Sequence, residues 1–561
     1  MSGPPPKPAP KNPGFVTCTI DGKEAVVSPG TNMIEAAKTV GSEIPFYCYH
    51  PRLSIAANCR MCLVETSTAP KLVPACQTPL AEGMAVKTTS AKVKDQQRAT
   101  LEFLLINHPV DCAICDQAGE CKLQDYYMKY DFKPSRLDGP KVLKSKRKVL
   151  GPQVVLDQER CILCTRCVRF MDEVAHEPQL GVFGRGSSER IDVFPGAQLD
   201  SNYAGNTVDI CPVGALLNRD FRFRARVWFL SAAPTVCTGC SRGCNAFADH
   251  YGQETHRYRP RDNERINKSW MCDHGRMSYK YLDKGRVTFA SIGRGPDARE
   301  ATRAEALKAV ADKLRPIAKQ PGLAVLASPL ASNEDLWLSL VWAKDVLGVQ
   351  EIYLGGRPDG EADHFLMTAD RNPNRKGLQW IAKWLNLKTE PYEALVKGIR
   401  EKRIRALYAI GTEVPGDVAE LEHDAAALEV FVAQATNHGP LLNQAHAILP
   451  AATHVEGEGS FVNLDGIIQR FRAAYPPKGD SQPHWKWAAD LASAMGLALS
   501  YASAREVFRD LSVRVPELGG FDWDGAAPAI QKARGLTPLA AAADGRPPGY
   551  REFGIPRVRG L

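Results

Sequence analysis

From Phe15 onward the chain alternates. In FVTCTIDGKEAVVSPG (15–30) apolar residues recur at every second position on either side of an Asp-Gly pair, which predicts two antiparallel strands joined by a two-residue turn. TNMIEAAKTVG (31–41) changes to helical spacing, with Thr31 as the cap and Gly41 as the stop. AKVKDQQRATLEFLLINH (91–108) places Val93, Leu101, Leu104 and Leu105 on one helical face and ends before Pro109. Far downstream, GLAVLASP, IRALYAIG, LEVFVAQA and AHAILPAA are short β-rich runs separated by helical stretches, an α/β pattern. The opening MSGPPPKPAPKNPG lacks both an apolar signal core and an arginine-rich amphipathic pattern, and is expected to be a disordered proline-rich tail.

Length changes the picture first: 561 residues exceed one core and call for several domains. No apolar run is long enough to cross a bilayer. Without a secretory signal, sixteen cysteines are expected to be metal ligands in a reducing compartment rather than disulfides. All sixteen lie in the first 272 residues, which separates a metal-loaded half from a metal-poor one. The formal charge of +8 suggests nucleic acid only while every thiol is counted as neutral. Fifteen thiolates and their cluster cores would bring it to about +1, so no nucleic-acid partner is expected. The basic run KVLKSKRKVL (141–150) reads as a solvated linker.

The cysteines fall into four constellations. The first is Cys48, Cys59, Cys62 and Cys76, spaced C-x10-C-x2-C-x13-C after the hairpin and helix. Cys18 alternates with Val16 and Ile20 and is expected to be a buried small hydrophobe. The second is Cys112, Cys115 and Cys121 in HPVDCAICDQAGEC, three thiols short of a fourth ligand. His108 either supplies it or merely ends the preceding helix, and a neutral imidazole is a competent iron ligand. The third is Cys161, Cys164 and Cys167 in CILCTRC, completed by the distant Cys211-Pro212. In two-cluster ferredoxins a Cys-Pro closes such a set, so one complete four-iron site remains here. The fourth is Cys237, Cys240, Cys244 and Cys272, spaced C-x2-C-x3-C-x27-C. Fifteen cysteines with His108 make four sets of four, and this closure favours His108 as a ligand.

Hairpin, helix and cysteine loop together resemble the β-grasp fold of plant-type two-iron ferredoxins, with a longer first gap than the usual C-x4-C. The fourth set, with WMCDHGR around Cys272, resembles the amino-terminal four-iron motif of molybdopterin oxidoreductases. NCRMCLVE, HPVDCAICDQAGECKLQD, ERCILCTRCVRF and DICPVGAL, in that order, resemble the family of large iron–sulfur (G-type) subunits of bacterial NADH-quinone oxidoreductase, respiratory complex I, in its subset with an additional fourth cluster.

The resemblance implies a [2Fe–2S] cluster on Cys48, Cys59, Cys62 and Cys76, and [4Fe–4S] clusters on the other three sets, the last lying off the electron route. It implies electrons entering from an NADH- and FMN-binding subunit and leaving toward quinone-proximal iron–sulfur subunits. The location would be the peripheral arm on the cytoplasmic side of the bacterial inner membrane, touching the membrane only through the complex.

The expected architecture is an α+β and α/β multidomain chain. It comprises the tail (1–14), a β-grasp domain (15–90), a four-iron domain with one histidine and three cysteine ligands (91–135) and a ferredoxin-like four-iron domain (136–228). A molybdopterin-oxidoreductase-type four-iron domain (229–288) and a catalytically silent α/β region (289–561) follow. With no cysteine after 272 and a short remainder, neither molybdopterin nor flavin is expected. GRGPDA (293–298) formally fits G-x-G-x-x-A, but Pro296 and the lack of a later acidic residue argue against dinucleotide binding. No general acid, base or nucleophile constellation stands out, as a pure electron relay requires. The alternatives are a cluster-bearing subunit of an NAD-linked formate dehydrogenase or hydrogenase, and a zinc-binding interaction scaffold.

Overall fold

The computed structural model describes residues 14–523, apart from 132 and 498. The proline-rich tail therefore lies, except for Gly14, outside the described residues. The described chain forms two compact units that divide between Leu230 and Ser231.

In the first unit the alternating segment forms β1 (Val16–Ile20) and β2 (Lys23–Val27), paired antiparallel from Val16↔Val27 to Ile20↔Lys23. Asp21 and Gly22 both take positive φ, as a two-residue hairpin turn of this hand demands. Asp21 accepts hydrogen bonds from the Thr88 amide (2.7 Å) and hydroxyl (2.6 Å), which ties the turn to the end of the domain. Helix α1 (Met33–Thr39) is capped by Asn32 rather than by the expected Thr31. The Asn32 side chain reaches the Glu35 amide at 3.0 Å. With β3 (Leu63–Thr66), β4 (Ala69–Pro74) and β5 (Ala85–Lys87) the sheet order is β2-β1-β5-β3-β4, with β5 parallel to β1. This is the β-grasp arrangement. Cys18 is buried in its core, as expected of a small hydrophobe.

Helix α2 (Ala91–Asn107) buries Val93, Gln97, Thr100 and Leu101; Leu104 and Leu105 are only half-buried. The short helix α3 (Lys122–Tyr126) follows. A small sheet then combines β6 (Lys148–Val149) and β7 (Val154–Leu156) with the later strand Leu216–Asn218. Helix α4 (Arg166–Glu173) and the short helix Gly205–Asp209 carry cysteines at their ends.

The second unit opens with a three-stranded antiparallel sheet spanning Ser231–Val236, Asn245–Tyr251 and Glu254–Pro260, followed by the short helix Asp273–Met277. Its main body is an eight-stranded sheet. The four β-rich runs of the sequence supply Leu323–Ala327, Ala406–Ile410, Val430–Ala435 and Ala447–Pro450, which lie side by side and parallel. The strands Glu351–Leu354 and Lys388–Glu390 continue the parallel order on the other side of Leu323–Ala327. The order of connection thus reverses between Leu323–Ala327 and Ala406–Ile410, which is where open α/β sheets form a crevice. GRGPDA is no phosphate loop: it turns Ala290–Ile292 back into the antiparallel strand Arg299–Ala301 at the sheet's edge.

Two of this unit's buried carboxylates, Glu334 and Glu456, tie distant segments together. Glu456 forms a two-pronged pair with Arg286, both contacts at 2.8 Å and both side chains at or below 4% exposure. Arg286 also donates to the Thr436, Leu282 and Ala451 carbonyls, and Glu456 accepts from Thr453, so the pair is satisfied on all sides. Glu334, in the first turn of Asn333–Asp345, accepts from the Ser460 amide (2.8 Å) and hydroxyl (2.6 Å). Burial pushes the Glu334 carboxyl up to about 7.

Glu456→Ala leaves a buried guanidinium unpaired and is expected to cost about 3–5 kcal/mol in denaturant unfolding of the second unit. The raised Glu334 group stabilises the fold fully below the ordinary carboxyl range, and this contribution is lost as pH rises through about 7. Glu334→Gln mimics the protonated side chain, so the variant's stability should change less between pH 5 and 8 than the parent's; equal slopes would refute the assignment.

Candidate iron–sulfur sites

None of the sixteen cysteines is in a disulfide. Cys48, Cys59 and Cys62 sit on the long loop between α1 and β3, and Cys76 follows β4. Ala57 and Arg60 take positive φ on either side of Cys59, the kind of local strain that recurs at functional loops. The Cys48 amide donates to the Cys59 sulfur at 3.5 Å. Cys48 and Cys59 act electrostatically on one another, as do Cys62 and Cys76. Cys59 holds the Cys48 thiol down to about 5, and Cys62 lowers Cys76, while their partners are pushed up. Two pairs of sulfurs suit two irons that each need two.

In the second set, Cys112 begins a 3-10 turn ending at Ile114, Cys115 follows it, and Cys121 caps α3. Burial pushes the Cys121 thiol up to about 12. His108 ends α2, as the plainer of its two readings requires, and Lys141 donates to its carbonyl at 2.6 Å. Yet its Nδ1 is buried without a hydrogen-bond partner. Burial lowers the imidazole to about 4, against the nearby Asp111 and with help from Arg160 and Lys141. The ring is therefore neutral at physiological pH and holds an uncommitted nitrogen, the form that binds a metal. His108 thus ends the helix with its ring buried.

The third set surrounds a cavity. Cys161, Cys164, Cys167 and Cys211 line one cavity together with Leu156, Ile162, Ile191, Val213 and Leu216. Leu163 and Thr165, between the cysteines, take positive φ, and the Leu163 amide donates to the Cys161 sulfur at 3.4 Å. Burial pushes Cys161 up to about 12 and Cys164 to about 11, and raises Cys167 and Cys211.

The fourth set lies in the second unit. Cys237, Cys240 and Cys244 occupy the turn after Ser231–Val236, closed by a 2.8 Å hydrogen bond from the Cys237 amide to the Cys244 carbonyl. Cys272 caps the helix Asp273–Met277, its sulfur accepting from the Gly275 amide at 3.3 Å. All four are at most 5% exposed.

Two glycines press against the sulfurs. A methyl group on Gly214 would lie 2.3 Å from the Cys115 sulfur. One on Gly275 would lie 2.8 Å from that of Cys237. Spacing did not single these glycines out, although each sits three residues beyond a ligand cysteine, Cys211 and Cys272 respectively. Arginines next to ligands were also missed. Arg160 holds Asp111 at 2.9 and 2.7 Å, Arg226 binds the Cys115 carbonyl at 2.7 Å, and the Lys122 amide binds the Pro212 carbonyl at 3.0 Å. The Arg160 and Lys122 contacts lace the second segment to the third, and Arg226 fixes the second alone. No three His, Cys, Asp or Glu side chains among the described residues are arranged to hold a single metal ion. A cluster makes a different demand, since its ligands sit on separate irons around one cavity.

Family models match in the same order. A 2Fe-2S iron–sulfur cluster binding domain matches residues 15–91, and the NADH-ubiquinone oxidoreductase-G iron–sulfur binding region matches 97–136. The ferredoxin-like domain of NADH-quinone oxidoreductase subunit 3 matches 151–217, and molybdopterin oxidoreductase matches 350–494. The G subunit of NADH-quinone oxidoreductase from Rickettsia felis is 40% identical over 58% of this chain and 48% of its own length. The mitochondrial 78 kDa subunit of NADH-ubiquinone oxidoreductase from Candida albicans is 36% identical over 74% of this chain and 59% of its own. That of Neurospora crassa is 28% identical over 91% and 85%. The chain spans about half the length of the first of these relatives. Its two-iron ferredoxin, G-type iron–sulfur, ferredoxin-like and molybdopterin-oxidoreductase regions, in this order, make it a homologue of the G subunits of NADH-quinone oxidoreductase and their mitochondrial 78 kDa counterparts.

Proposed function

We propose that this chain is the electron-relay iron–sulfur subunit of an NADH-quinone oxidoreductase. Cys48, Cys59, Cys62 and Cys76 would hold a [2Fe–2S] cluster. His108 with Cys112, Cys115 and Cys121, the set of Cys161, Cys164, Cys167 and Cys211, and the set of Cys237, Cys240, Cys244 and Cys272 would each hold a [4Fe–4S] cluster. The observation that carries this reading is the third set: four cysteines from two distant segments around one apolar cavity. The bound clusters would supply one-electron redox steps.

The chain's own residues do the rest. Leu156, Ile162, Ile191 and Leu216 exclude water from the third site. The Leu163 and Gly275 amides aim hydrogen bonds at ligand sulfurs, which favours their thiolate form. Arg160 and the Lys122 amide hold the second and third sets in a fixed relation, and Arg226 fixes the backbone at Cys115. Electrons would arrive from an NADH- and FMN-binding subunit and leave to quinone-proximal iron–sulfur subunits, in the peripheral arm on the cytoplasmic face. No helix among the described residues is long and apolar enough to cross a membrane. The additional fourth cluster would stabilise the second unit rather than carry current.

In the second unit the crevice at the strand ends is read as catalytically silent. Asp335 accepts from the Ser332 hydroxyl (2.8 Å) and the Trp485 amide (3.0 Å) at the start of the helix that faces it. Carboxylates thus already occupy donors that a cofactor phosphate would need. This supports a retained scaffold without molybdopterin.

Anaerobically purified chain is expected to contain about fourteen irons, from one two-iron and three four-iron clusters, and no molybdenum or tungsten. Zinc in place of iron in a complex that still reduces quinone would overturn the relay. His108→Cys adds a negative ligand, so the midpoint of that cluster should fall while the others stay. His108→Ala should leave a labile site that sheds iron. An alanine variant with an unchanged paramagnetic signal and midpoint would reduce His108 to a helix end.

A further inference from the structure

Arg166 lies between two ligand cysteines in sequence, Cys164 and Cys167, and it touches two different sets in space. Its guanidinium donates to the Tyr49 carbonyl, one residue after Cys48, and to the Ile210 carbonyl, one residue before Cys211, the latter at 3.1 Å. One side chain therefore grips the backbone beside a ligand of the first set and beside a ligand of the third. It is 4% exposed and has no carboxylate among its hydrogen-bond partners. Its Nε–H is buried with no hydrogen-bond partner. A buried charge needs an opposite charge or a full set of acceptors. Two carbonyls are a partial answer, and the charges of Cys48, Cys59, Cys164 and Cys211 are the ones that act on the guanidinium.

Neighbouring cations are placed differently. Arg169 bridges the Cys48 (2.6 Å) and Cys164 (3.2 Å) carbonyls, but it is only partly buried. Lys122 sits over the Phe46 ring at 4.4 Å, and Arg166 approaches the same ring at 5.8 Å. Burial of the Lys122 ammonium lowers it to about 8. His50, two residues after Cys48, is held neutral by burial and by these cations. Arg166 is the buried member that joins the two sets and stays charged at any working pH.

We infer that Arg166 is a positioning residue that serves as a common counter-charge for the clusters on Cys48, Cys59, Cys62 and Cys76 and on Cys161, Cys164, Cys167 and Cys211. This rests on the relay reading. A fixed positive charge favours adding an electron to either cluster, and burial strengthens the effect. When one electron passes from the first cluster to the third, one site is oxidised and the other reduced, and the total charge around Arg166 is unchanged. A shared cation thus raises both potentials while leaving the step between them nearly level.

The test is a redox titration of the full-length chain, purified anaerobically and followed by paramagnetic resonance. In Arg166→Gln the midpoints of both clusters should fall together while those of the His108 set and the Cys237 set stay. Movement of only one midpoint, or of neither, in a fully loaded variant overturns the inference. Should the neutral variant fail to load, Arg166→Lys decides. The lysine keeps the charge, so both midpoints should stay near the parent's, and a loaded lysine variant in which either of them falls clearly overturns the proposal. The relay reading fails by a different result, the absence of two-iron and four-iron signals from the parent protein.

Discussion

The constraint on which this protein depends is the burial of thiols. Cys121 and Cys161 are pushed up to about 12, and Cys167 and Cys244 are also raised, in each case chiefly because the fold removes them from water. A ligand must nevertheless be a thiolate. The conflict is resolved by positive charge at the site, so folding the loops and charging the sulfurs become one process. The same argument explains the local architecture. Short turns with positive φ aim amides at sulfurs, and glycines let the backbone come close to them, because each such contact offsets part of the cost of burying a thiolate.

Positive charge in the first unit is arranged on the same principle. Arg160, Arg166, Arg169 and Arg226 spend their donors largely on carbonyls and carboxylates beside ligand cysteines rather than in surface ion pairs. Each therefore fixes a loop and places charge near sulfur at once.

Much of this was legible in the sequence. Period-two alternation around Asp21-Gly22 became the hairpin, and the four β-rich runs became adjacent parallel strands, because both signals come from burial. What failed had local causes. Asn32 displaced Thr31 as cap because its longer side chain reaches the Glu35 amide. GRGPDA, by contrast, was rightly read against dinucleotide binding: the strand Arg299–Ala301, not a helix, directly follows the turn. The cysteine sets could be grouped by spacing, whereas the arginines could not: an arginine beside a cysteine looks like any other until the chain folds its partner carbonyls around it. Of the two readings of His108, the helix end is seen directly, and its unpartnered Nδ1 became visible only in the fold.

The hairpin built from GRGPDA has a further effect. It caps one margin of the eight-stranded sheet with Arg299–Ala301, and the other margin is Lys388–Glu390. Both outermost strands are three residues long and carry charges of both signs, Arg299 with Glu300 and Lys388 with Glu390. Strands this short and charged are poor templates for pairing with another chain. The eight-stranded sheet is thereby shielded from edge-to-edge aggregation.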